Sequence, residues 1–211
     1  MAYLPQFPLS IVVFPGEDLN LHIFEERYKE LINDCYETDS VFGIPSAQND
    51  RRLRMGTSVR IKEISKTYPD GKMDIKTQGV EVYQVIKFDD RMEGKSYPGA
   101  EVLYISQDDD SDYEMNQQII EKIDRLYDLM NIKPSGKLDP RTFRISHLVH
   151  KIGLTYQQEL NLRDFLFESE KQIYILKHLD KLIPEVERVE DMRRKIRLNG
   201  HFKDLRSFDI G

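Results

Sequence analysis

The chain has 211 residues, 39% of them hydrophobic and 32% charged, a balance that fits a soluble globular protein with a substantial core and excludes a disordered chain. Its net charge of −6 gives no overall electrostatic footprint for a phosphate backbone, so a nucleic acid would have to be held by a local basic patch. Cys35 is the single cysteine, which rules out an intrachain disulfide or thiolate cluster and fits a reducing compartment.

The first apolar run, Phe7 to Phe14, reads as a short strand ending in the turn Phe14-Pro15-Gly16. The amino terminus, residues 1–16, has no basic start, and Pro5, Pro8 and Pro15 interrupt it, so it does not read as a signal peptide. No stretch approaches the roughly 20 apolar residues of a spanning helix, and the sequence predicts a cytoplasmic protein. A second extended run, Leu19 to Ile23, passes directly into a helix that opens Phe24-Glu25-Glu26-Arg27-Tyr28. Phe24, Tyr28, Leu31, Ile32 and Cys35 recur at helical spacing, one face of a helix packed on a core. Val41 to Pro45 reads as a short buried strand, and residues 46–54 as a polar, charged loop.

From Gly56 the period changes to two, with Thr57, Val59 and Ile61 on one run and Met73, Ile75 and Thr77 on the next. Between them, Tyr68-Pro69-Asp70-Gly71 supplies the left-handed conformations of a tight hairpin. Gly79 reads as a bulge or bend in the second strand, Val80 to Phe88 continue it, and Ala100 to Ser106 add another. Residues 107–112, with four aspartates, read as a solvated linker. Beyond it Ile119, Ile123, Leu126, Tyr127 and Met130 repeat at helical spacing, and the run Lys133-Pro134-Ser135-Gly136 breaks that helix. Further helices are predicted over Phe143 to Ile152, Leu160 to Leu166 and Ser169 to Ile183. Pro184 suits the first position of a final helix, with Asn199-Gly200 as its stop. The chain is thus predicted as α+β: a curved antiparallel β unit over residues 1–107, then a helical bundle over residues 108–211.

The order of the opening closely resembles the LON domain, the amino-terminal substrate-binding part of Lon proteases. Gly56-Thr57, the Asp70-Gly71 turn, Gly79 and Ala100-Glu101-Val102 look like family positions, and the resemblance spans nearly the whole chain. Family members often carry Gly-x-x-Arg-Phe where this chain has Gly79-Val80-Glu81-Val82-Tyr83, so any role of that arginine does not transfer. Gln158-Glu159-Leu160 and Asn199-Gly200-His201-Phe202-Lys203 resemble stand-alone bacterial LON proteins. The resemblance implies a PUA-like pseudo-barrel with carboxy-terminal helices. It also implies a non-catalytic module that binds unfolded or exposed apolar polypeptide segments and hands them to a separate protease or chaperone. Within the family motif, His22, Phe24, Glu25, Arg27 and Tyr28 are the candidate binding residues. The bland alternative makes Phe24 and Tyr28 core, with Glu25 and Arg27 fixing the strand-to-helix junction by charge-assisted hydrogen bonds.

Other chemistry is weaker. Gly94-Lys95-Ser96 matches the tail of a phosphate-binding loop, but Asp89 stands where its first glycine belongs, and a solvated hairpin loop is favoured. His147 and His150 share a helical spacing without a third ligand, so packing histidines are favoured over a metal site. The aspartate run lacks the central Gly of a calcium loop. Cys35, on the core stripe, reads as a buried, inert thiol. No ATPase or Ser-Lys peptidase module is read from the sequence, and no cofactor is implied. Two alternatives stay open. RNA binding, known among PUA-like barrels, would draw on Arg51, Arg52 and Arg54 or on Arg193, Arg194, Lys195 and Arg197. An enzyme site between the two halves would need an acid–base pair that the sequence does not single out.

Overall fold

The computed structural model describes residues 1–47, 53–133 and 136–205. By their contacts they divide into two units, one of residues 1–109 with 144–168 and one of residues 110–143 with 169–211. The sequence-based division at 107/108 puts residues 144–168 with the helices, whereas their contacts group them with the strands.

The first unit is built on a six-stranded antiparallel sheet. Strands β1 (Ala2–Pro5), β6 (Gly99–Tyr104), β5 (Met73–Asp89), β4 (Leu53–Thr67) and β3 (Phe42–Ala47) follow one another across it, and β2 (Asp18–Ile23) pairs with the first half of β5. The sheet does not close, although one parallel bridge, Gln6 to Gly43, joins its two ends. Register shifts along β4 and β5 bend the long hairpin, which turns at residues 68–71. There Gly71 alone takes the left-handed conformation, at φ 76°. Gly79 acts through close approach: a Cβ there would overlap the carbonyl oxygen of Phe14, and the Gly79 N–H donates to the Glu17 carbonyl at 2.8 Å.

The predicted strand over Phe7 to Phe14 does not form; the amino-terminal strand is β1. Pro8 lacks a ladder donor within that stretch and Pro15 closes it, yet Val12, Val13 and Phe14 are buried. Its carbonyls are satisfied instead by hydroxyls, Ser46 donating to Ile11 at 3.0 Å and Thr57 to Val13 at 2.5 Å. Helix α1 (Glu26–Glu37) lays Tyr28, Leu31, Ile32 and Cys35 into the core with Ile23, Phe42, Ile44, Val59 and Ile75. Phe24 lies outside this face: it precedes the N-cap residue Glu25, and 59% of it is exposed.

The predicted helix over Phe143 to Ile152 is two 3-10 turns, Ile145–His147 and Val149–Lys151, with Ile145, Val149 and Ile152 buried. Helix α3 (Tyr156–Arg163) follows, started by a reciprocal capping box between Thr155 and Gln158.

In the second unit, α2 (Tyr113–Met130) is capped by the Asp112 carboxylate, which accepts the Met115 N–H at 2.8 Å, and stops at Asn131 in the left-handed region. Helix α4 (Glu168–Leu205) is one helix of 38 residues that passes through Pro184 and through 199–200, where two helices and a stop are predicted. The exposed Pro184 ring removes one backbone bond without ending the helix, whose residues Ile175, Leu179 and Ile183 are buried before it. Ion pairs Lys122–Asp180, at 2.6 Å, and Arg125–Glu187 join α2 to α4, and buried Gln172 donates to Asn116 Oδ1 at 2.7 Å.

The aspartate run is exposed and holds the boundary between the two units, as a solvated linker would, but it is also tied down locally. Asp108 exchanges backbone hydrogen bonds with Leu166 and Glu168, and Asp109 pairs with Arg144 at 2.7 Å. Asp110 accepts the N–H and hydroxyl of Ser169, and Asp112 caps α2. Three of the four carboxylates thus have a local structural task. Pro134 and Ser135, predicted to break α2, lie outside the described residues.

Candidate functional site

The junction of β2 and α1 carries the family motif on the surface of the first unit. β2 alternates, with Leu19, Leu21 and Ile23 toward the core and Asp18, Asn20 and His22 toward solvent. The chain then turns at Phe24 and Glu25, both still extended or capping, before α1 begins. This geometry places the Phe24 ring in solvent beside His22, the two rings stacked with centroids 6.2 Å apart.

The β4–β5 hairpin supplies the rest of the patch. Tyr68 meets His22 edge-on at 5.8 Å, and Lys66 Nζ lies 4.3 Å over the Tyr68 ring. Asp74 binds both aromatic groups: His22 Nδ1 stands 2.6 Å from its carboxylate, and the Tyr68 hydroxyl donates to it at 2.8 Å. These bonds, first that of His22 and then that of Tyr68, hold the Asp74 carboxyl below its ordinary range. Phe24, His22 and Tyr68 therefore form a small aromatic surface in which His22 Nδ1 and the Tyr68 hydroxyl are already partnered, and the ring faces are the main chemistry it offers.

Glu25 and Arg27 pair with each other, Nε donating at 2.9 Å, and the guanidinium also lies 4.5 Å over the Tyr28 ring. Tyr28 is buried against Phe7, their centroids 4.1 Å apart. Of the five sequence-predicted residues, His22 and Phe24 thus face solvent together, Tyr28 is scaffold, and Glu25 and Arg27 form an exposed pair between them. Lys29 ties α1 to the hairpin turn by donating to the Asp70 carbonyl at 3.0 Å and pairing with Glu26. Tyr68, Lys66 and Asp74 were not singled out from sequence. Their signal was the Tyr68-Pro69-Asp70-Gly71 turn, but only the β2–β5 register, with His22 opposite Asp74, brings that hairpin to the motif.

The other candidates have structural tasks. His150 lies between two carboxylates, Nε2 3.0 Å from Glu17 and Nδ1 2.8 Å from Glu159. The hydrogen bond to Glu17, despite partial burial, pushes its pKa up to about 9, with Glu159 adding to the effect. A charged ring donating from both nitrogens has no lone pair for a metal. His150, His147, Glu17, Asp18, Ser146 and Lys151 line a cavity of about 180 Å³. Among the described residues no three His, Cys, Asp or Glu side chains are grouped to hold a metal ion. In the Gly94-Lys95-Ser96 loop, Lys95 pairs with Asp34 at 2.7 Å and Ser96 donates to Glu30. Carboxylates of α1 thus take the donors a phosphate would need. Cys35 is buried, which raises its thiol pKa. Arg193 and Arg194 pair with Glu190 and Asp191 one turn before them, and Arg51 and Arg52 lie outside the described residues.

Two solved structures share this architecture. The Lon N-terminal domain protein from Xanthomonas campestris is 24% identical, with a TM-score of 0.64 over 84% of this chain and 98% of that one. The N-terminal domain of Mycobacterium avium complex Lon protease is 12% identical, with a TM-score of 0.62 over 85% of this chain and 98% of that one. At these identities the likeness speaks for the fold. The family model for the ATP-dependent protease La (LON) substrate-binding domain matches residues 3–198, nearly the full chain, and this chain belongs to that family.

Proposed function

We propose that this chain is a polypeptide-binding module that holds unfolded or exposed apolar segments at the Phe24 patch, for a separate protease or chaperone to act on. The observation that carries this reading is the Phe24 ring, 59% exposed, stacked beside His22 at the junction of β2 and α1. Buried Ile23 precedes Phe24 and buried Tyr28 follows it, so little backbone freedom is lost when a ligand covers the ring. An exposed aromatic face packs against many side chains and asks for no particular sequence, the chemistry a binder of varied unfolded segments needs. Membership of a substrate-binding family supports the same reading. The test is fluorescence anisotropy with a reduced, carboxymethylated polypeptide as the unfolded probe. A Kd on the order of micromolar is expected, and no binding at that level would overturn the proposal.

A further inference from the structure

Past Pro184, helix α4 presents a second apolar feature with different chemistry. Val189, Met192 and Ile196 are 50%, 64% and 63% exposed. They follow one another at spacings of three and four residues, the a, d and a positions of a heptad, so they form one narrow seam along the helix. In that register Arg188 and Lys195 occupy the flanking g positions and Arg193 the flanking e position, while exposed Glu185 takes the d position before Val189 and bounds the apolar seam at its start. The acidic residues Glu187, Glu190 and Asp191 point away from it, and Glu190 and Asp191 are engaged with Arg193 and Arg194. Of the border residues, Arg188 donates to the Pro184 carbonyl, and Arg188 and Lys195 have no carboxylate partner among the described residues. The stretch is thus an apolar seam with basic borders on a chain that is acidic overall.

We propose that this part of α4 is a docking seam for an amphipathic helix of a partner protein that carries Asp or Glu beside its own apolar stripe. Charge selects this occupant over a second copy of the chain. Parallel self-pairing would set Arg188 opposite Arg193, and antiparallel self-pairing would set Arg188 opposite Lys195, like charges in both cases. Geometry selects it over a lipid surface. The seam is one residue wide and holds no Trp, Phe or Leu, whereas interfacial helices bury a broad face rich in them. Complementary charge at the borders would set the partner's orientation, and the three apolar side chains would supply burial.

The probe is a synthetic helical peptide of about four heptads with Ile and Leu at a and d and Glu at e and g. Its like-charged borders discourage it from pairing with itself. Isothermal titration of the full chain should show binding that weakens as salt rises. The same peptide with Lys at e and g should bind at least about tenfold more weakly, as should the variant Met192→Glu with Ile196→Glu for the original peptide. Circular dichroism checks that this variant, altered only at exposed positions, keeps its fold. Equal binding of the Glu and Lys peptides, or unchanged binding by the variant, would overturn the proposal. So would seam-dependent dimerisation in sedimentation velocity, or co-sedimentation with phosphatidylserine vesicles that the double variant abolishes.

Discussion

The Arg163 guanidinium donates to the Ser46 hydroxyl at 2.8 Å, joining α3 to β3 across 117 residues of sequence. Arg163 is only 1% exposed, and its other nitrogens reach the Asp164 carboxylate at 2.8 and 2.9 Å. Its backbone carbonyl in turn accepts from Gln107. A buried charge of this kind is held by its partners, and removing it leaves Ser46 and Asp164 short of donors. Arg163→Ala is expected to lower stability by about 3–5 kcal/mol, read as a fall in the urea midpoint at unchanged slope.

His150 makes stability depend on pH. Its folded pKa, raised to about 9, lies above the ordinary value of 6.5, so the stabilisation is complete below pH 6.5 and is lost as pH rises through 9. The imidazole is more than a third exposed, which screens the effect, and about 1–2 kcal/mol is expected. Denaturant midpoints should separate the wild type from His150→Gln at pH 6 and converge by pH 10. A gap that stays constant over that range would show that His150 acts by packing alone.

Gly79→Ala should destabilise by about 1–3 kcal/mol, the usual range for overpacking, because the added methyl meets the Phe14 backbone, which cannot swing aside as a side-chain tip would. Thermal melting reads the effect.

Arg27→Ala should cost about 1 kcal/mol or less. From sequence, this arginine fixes the strand-to-helix junction, but its pair with Glu25 is exposed on both sides and its remaining contact is the Tyr28 ring. Melting curves of the variant and wild type should nearly coincide.

Local patterns carried much of the fold into the sequence. The helical spacing of Tyr28, Leu31, Ile32 and Cys35, the alternation through Val59 and Met73, and Asp70-Gly71 each report a face or a turn directly. The segment from Phe7 to Phe14 misled because its apolar residues are buried without a ladder, and its backbone partners, Gly43, Ser46 and Thr57, lie far along the chain. Residues 143–152 misled because short 3-10 turns can bury Ile145, Val149 and Ile152 as a helix would. In the candidate site, the motif residues were legible, but which of them face solvent was not. Phe24 has the spacing of a core residue and misses the core only because α1 starts at Glu26.

The central claim is that the exposed Phe24 ring holds polypeptide while contributing little to the fold. It is tested most directly by Phe24→Ala, with a thermal melt and an anisotropy titration against reduced, carboxymethylated polypeptide on the same sample. The account predicts a melting temperature within about 2 °C of wild type and binding weakened about tenfold or more. Unchanged binding, or a large loss of stability, would contradict it.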